Sequence, residues 1–141
     1  MRPKMNIVTL GVRDFQASLK FYKDGLGWNI SSASHENIAF FPLGGIVLAL
    51  YPRQALADDA KVSSEGTGFS AITLAYNAKS IEEVDDVLKQ VEKLGAKIVK
   101  KAEKVFWGGY SGYFADLDGH LWEVAYNPHF TFDDKDNLVL P

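Results

Sequence analysis

The chain repeats itself. VTLGV (8–12) is echoed by ITLAY (72–76), GLGWNI (25–30) by KLGAKI (93–98), and LALYP (48–52) by EVAYNP (123–128). The three matches come in the same order. Their offset grows from 64 residues, Val8 to Ile72, to 75 residues, Leu48 to Glu123. A second copy with a longer helix and longer later loops would give that growth. Internal self-similarity restricts the fold strongly, because each copy must form the same supersecondary unit.

Local signals give the content of the unit. In DFQASLKFYKDGLG (14–27), Phe15, Leu19, Tyr22 and Leu26 recur at helical spacing. Asp14 is a candidate N-cap, and Gly25 or Gly27 a terminator. In SIEEVDDVLKQVEKLG (80–95), Ser80 and Glu83 have the spacing of a capping box. Ile81, Val84, Val87 or Leu88, Val91 and Leu94 form an apolar stripe, and Gly95 ends it. Strand-like runs occur at 6–12, 28–33, 37–43, 45–51, 70–76, 96–103, 112–117 and 120–126. The polar stretch PRQALADDAKVSSEGTG (52–68) reads as a linker.

The predicted order is therefore βαβββ, linker, βαβββ. Module 1 spans about 5–52, the linker about 53–68, module 2 about 69–128 and a C-terminal tail 129–141. The expected class is α+β: paired βαβββ modules forming one eight-stranded curved sheet, a cup, with the two main helices outside. At 141 residues this fits one domain.

Composition narrows the function. Hydrophobic residues make up 47% and charged residues 23%, and the net charge is −3. That is globular composition. The basic residues form no stripe for nucleic acid and no basic amphipathic helix for a membrane surface. There is no cysteine, which excludes disulfides, zinc–thiolate sites and a cysteine nucleophile. MRPKMNIVTLGV lacks a signal-peptide apolar run, so a cytoplasmic location is expected.

The doubled βαβββ unit resembles the vicinal oxygen chelate superfamily, which includes glyoxalase I, bleomycin-resistance proteins and extradiol dioxygenases. The resemblance runs from about Asn6 to Pro128, best in VTLGVRDFQASLKFYKDGLGW (8–28) and YFADLDGHLWEVAYNP (113–128). The second stretch is similar to the family's Asp-Pro-Asp-Gly and aromatic-Glu signature, with Leu117 in place of proline. The resemblance implies four metal-ligand positions, one on the first and one on the last strand of each module. They fall on Ile7, Leu48, Ala71 and Glu123. Three of these side chains carry no donor atom, and a divalent ion needs several oxygen or nitrogen ligands. No cofactor is therefore expected. A divalent metal held by other ligands is possible but unsupported.

Strand alternation proposes the cup-facing residues. In HLWEVAY, Leu121, Glu123 and Ala125 share one face, and Trp122, Val124 and Tyr126 the other. The larger apolar set should pack on a helix, leaving Glu123 toward the cup. The same rule assigns Ile7 and Thr9, then Leu48 and Leu50, then Ala71 and Thr73 to the cup, with Tyr113 and Trp107 as an aromatic wall beside Tyr110. The candidate ligand-binding set is Trp107, Tyr113, Glu123, Leu48, Thr73 and Thr9, and Glu123 is the candidate catalytic group.

Two roles compete for Glu123. It is a structural carboxylate paired with a cross-strand hydroxyl or a lysine, or it is a ligand-facing acid in an apolar cavity. Asp118-Gly119 reads as a hairpin turn and His120 as a rim residue. The expected function is a metal-free protein that binds an apolar or aromatic small molecule. The alternative is a glyoxalase-like lyase, isomerase or dioxygenase-type enzyme, with unrecognised metal ligands or with Glu123 as acid or base. The expected partners are the small-molecule ligand and a second copy of the chain, since open sheet edges invite pairing.

Overall fold

The computed structural model describes residues 1, 3, 5–66, 68–106 and 108–139. It comprises two compact units, Met1–Gly68 and Phe69–Pro141. The α+β class stands. Among the described residues no helix is long and apolar enough to cross a membrane.

Unit 1 begins with β1 (Ile7–Val12) and α1 (Phe15–Lys20). The Asp14 side chain accepts from Ala17 N at 2.9 Å and so caps α1. The helix runs on into a π-helical turn, Phe21–Gly25. Gly27, with φ +73°, turns the chain away. β2 (Ala39–Leu43) and β3 (Ile46–Pro52) follow, in the sheet order β1-β3-β2. β1 runs parallel to β3, and β2 antiparallel.

Two expectations for this unit change. The run 28–33 is not a strand. Ser31 N still donates to Phe40 O at 2.8 Å, but Phe40 N donates to the Ser34 hydroxyl at 2.9 Å. That hydroxyl takes an amide a paired strand would use, and short polar side chains compete with ladders in this way. The stretch read as a linker opens with a helix, α2 (Arg53–Ala60), entered from Pro52 and ended by Lys61 at φ +57°. Its polar sequence hid a helix that buries little besides Ala57.

The core of unit 1 is aromatic. Tyr22, Trp28 and Phe41 have ring centroids 5.5–6.1 Å apart. Phe41 stands opposite Leu48 in the register, and Leu10 opposite Leu50; all four are buried.

Unit 2 contains β4 (Leu74–Ala78), α3 (Ile81–Lys93), β5 (Lys97–Lys104), β6 (Tyr110–Ala115) and β7 (Leu121–Tyr126), with sheet order β4-β7-β6-β5. Ser80 caps α3 by accepting from Glu83 N at 3.1 Å. Glu83 reaches back one residue further than a standard capping box, to Lys79 N at 2.7 Å. Val84, Leu88 and Val91 of α3 are buried, and α3 touches all four strands. Gly95, at φ +96°, ends the turn beyond it. The expected tail contains a short hairpin, β8 (Thr131–Phe132) with β9 (Leu138–Val139). Lys79 fastens it by an ion pair to Asp136 and lies 5.9 Å from the Phe132 ring centroid.

Candidate functional site

The β6–β7 hairpin carries most of the candidate residues. Its register pairs Tyr113 with Glu123 and Phe114 with Trp122. Phe114 and Trp122 are buried, and their rings stack with centroids 6.1 Å apart. Gly112, opposite Val124, marks the face under α3, because a Cβ built there would meet Leu88 Cδ1 at 2.8 Å. Tyr113 and Glu123, one step out of phase, therefore lie on the face opposite α3. Both are half-buried.

Tyr113 faces Glu123 across the strand pair. Burial, the negative charge of Glu123 and its capacity to accept from the phenol together raise the Tyr113 phenol above its ordinary value. The row continues on both sides. Ala75 of β4 stands opposite Glu123, and Lys100 of β5 opposite Tyr113. Lys100 also pairs with Glu103 at 3.3 Å, a half-exposed ion pair of small energetic value. The face thus presents a phenol and a carboxylate flanked by alanine and by a lysine. Alternation did not find Lys100, because β5 is irregular on both sides of it.

The other candidates scatter. Trp107 lies outside the described residues. Tyr110 belongs to the α3 face, where its hydroxyl donates to Asp85 at 2.9 Å. The expected aromatic group is thereby divided. Thr73 is exposed and precedes β4, whose first residue is Leu74. Ala71 is exposed in a left-handed conformation, φ +58°. The run 70–76 thus enters the sheet later than its pattern suggests. Thr9 and Ile7 are exposed on β1, in register with Ala49 and Val47.

Leu48 pairs instead with Val8 and Phe41 and is only 3% exposed. It lies on the opposite face from Thr9, so the two do not share a wall. The alternation reading slipped by one residue here, because β3 is buried at Leu48, Ala49 and Leu50 alike. A strand buried on both faces gives no polar phase to read.

His120, expected at a rim, is held in place. Its Nδ1 lies 2.9 Å from Asp116 Oδ2, and its backbone N donates to Asp116 Oδ1 at 2.8 Å. Asp118 N donates to the same oxygen at 2.9 Å. The buried Asp116 carboxylate therefore organises the whole turn between β6 and β7. The spacing of DLDGH carries that signal, since an aspartate accepts readily from amides two to four residues on.

The metal positions implied by resemblance do not fit a metal. Ile7, Leu48 and Ala71 have hydrocarbon side chains, so Glu123 alone of the four offers a donor atom. Among the described residues no group of three or more His, Asp or Glu could hold an ion.

Comparison with known proteins supplies the wider setting. Residues 4–124 match the family model described as the Glyoxalase/Bleomycin resistance protein/Dioxygenase superfamily. The uncharacterized protein YraH of Bacillus subtilis (strain 168) is 31% identical over 126 residues, 86% of this chain and 96% of that protein. The metallothiol transferase FosB of Staphylococcus haemolyticus is 31% identical over 121 residues, 85% of this chain and 81% of that protein. Among solved structures, a glyoxalase-related enzyme from Fulvimarina pelagi superposes with a TM-score of 0.89 at 30% identity, covering 98% of each chain.

Proposed function

Since this chain belongs to the Glyoxalase/Bleomycin resistance protein/Dioxygenase superfamily, we propose that it is a small-molecule-binding member that works without the family's divalent metal. One observation carries this reading. The single carboxylate at an implied metal position, Glu123, faces the Tyr113 phenol, and the other implied positions are hydrocarbon. A carboxylate has several acceptor sites to offer a ligand. With Ala75 and Leu121 beside it, it suits a ligand with an apolar or aromatic body and a donor or cationic group. The ligand's donor would meet Glu123, and its body would lie along the apolar part of the face.

A thermal-shift titration with a panel of aromatic amines tests this. Wild type should be stabilised by at least one member, and Glu123→Gln should lose most of that shift while keeping its own melting temperature. If Glu123→Leu unfolds the chain and Glu123→Gln does not, Glu123 is structural and the proposal fails.

A second reading, metal-free acid–base catalysis, draws on the same pair. A phenol beside a carboxylate can exchange a proton with a substrate. The metallothiol transferase among the relatives is 31% identical and supports the shared family.

We further propose a homodimer and a cytoplasmic location. β1 and β4 each end their sheet, and β1 leaves Ile7 and Thr9 exposed. A strand edge carrying an exposed isoleucine favours pairing with another chain. Sedimentation showing only monomer at high concentration would overturn the dimer.

A further inference from the structure

Unit 1 contains a cavity of about 420 Å³, formed wholly by residues between Val12 and Gly66. It opens where β1 and β3 end. Val12 and Pro52 are the last register partners of these parallel strands, and both line it. α2 is pressed close against β1 at this point. A Cβ on Gly11 would meet Arg53 Cα at 3.2 Å and Leu56 Cδ2 at 3.3 Å, so glycine permits the approach.

The segment after α2 folds back over the opening and is tied there. Arg53 Nε donates to Ser64 O at 3.0 Å. The Ser64 hydroxyl donates to Gln54 Oε1 at 2.6 Å, and Gln54 Nε2 donates to Asp58 Oδ1 at 2.7 Å. These bonds order the lining before any ligand arrives, which lowers the entropy cost of binding. Because Arg53 uses Nε for the loop, its terminal nitrogens remain as a planar pair of donors. Arg13 supplies a second guanidinium and Glu65 one carboxylate, so the lining carries one net positive charge. The amide end of α2 adds to that field. The two guanidiniums and the tied loop make the site.

We propose that this cavity binds a small oxyanion, the phosphate or carboxylate group of a free small molecule. Guanidinium matches such groups by paired hydrogen bonds. Glu65 disfavours a polyanion and favours a ligand that also bears a hydroxyl or amino donor. The volume falls in the range of small-molecule pockets, so it holds the oxyanion together with the body that carries it. This site is distinct from the Tyr113–Glu123 face, and either proposal can fail alone.

Calorimetric titration at matched ionic strength tests it, with inorganic phosphate and lactate as separate probes. Wild type should bind at least one of them saturably with a Kd of about 1 mM or tighter. The tighter probe identifies the oxyanion. Arg13→Gln and Arg53→Gln should each weaken binding by about tenfold or more, Glu65→Gln should retain or tighten it, and Lys89→Gln should leave it unchanged. Arg53→Gln also disturbs the loop, so Arg13→Gln, on an exposed side chain, is decisive if the former unfolds. No saturable binding of either probe, or undiminished binding in Arg13→Gln, overturns the proposal.

Discussion

Tyr113 and Glu123 stand directly opposite one another on β6 and β7, and the charge of the carboxylate acts on the phenol. The pair lies on the face opposite α3, while the residues flanking it in sequence, Phe114 and Trp122, are buried under that helix. One hairpin thus divides its labour by strand alternation. Its apolar face anchors unit 2, and its polar pair lies on the face turned away from α3.

The raised Tyr113 pKa gives a direct signature of the pair. Its causes are burial first, then the charge and the acceptor capacity of Glu123. Glu123→Gln removes the charge, so the Tyr113 titration should move down toward the ordinary phenol range without reaching it. Ultraviolet difference titration against a Tyr113→Phe control reads this shift. An unchanged tyrosine titration in Glu123→Gln would mean that the two groups do not interact.

A second tyrosine controls alkaline stability. Burial, the hydrogen bond to Glu83 and the charges of Glu83 and Asp136 push Tyr76 up to about 12. A phenol ordinarily titrates near 10. Between these values the unfolded chain has lost a proton that the folded chain keeps. Stability from this group is therefore complete below pH ~10 and falls as pH rises toward ~12. Chemical denaturation across that window should show wild type losing more stability than Tyr76→Phe. Parallel curves would contradict the linkage.

Gly112 should tolerate no side chain. A Cβ there would lie 2.8 Å from Leu88 Cδ1 and 2.9 Å from both Ala102 N and Lys100 O. Two of those three atoms are backbone and cannot step aside. Gly112→Ala should destabilise by on the order of 3 kcal/mol, measured by urea denaturation. A loss below about 1 kcal/mol would show that β5 and α3 relax freely around the site.

Asp116 should matter for folding more than its place in a turn suggests. It is buried and accepts from Asp118 N, His120 N and the His120 ring. Asp116→Ala strands those donors and should cost on the order of 3 kcal/mol. Asp116→Asn keeps an acceptor for the amides and should cost less. Equal losses in the two variants would place the effect in the carboxylate charge alone.

Much of this was legible from residue patterns. The helix Ile81–Lys93 followed from the Ser80 cap and its apolar stripe, and the faces of β7 from the alternation of Trp122, Glu123 and Val124. Other features were not legible. β3 is apolar on both faces, so alternation gives it no phase, and Leu48 lies on the face opposite the one alternation assigns. α2 has a polar sequence with little to bury, so nothing separated it from a linker. Lys100 comes opposite Tyr113 only through irregular pairing in β5, a backbone event that leaves little trace in side-chain periodicity.

The most direct measurement is elemental analysis for divalent metals on protein purified without a histidine tag, wild type beside Glu123→Gln. A site built from Glu123, Tyr113 and hydrocarbon neighbours should carry no stoichiometric metal, and the two proteins should be indistinguishable. One tightly held ion per chain in wild type, lost in Glu123→Gln, would contradict a metal-free site.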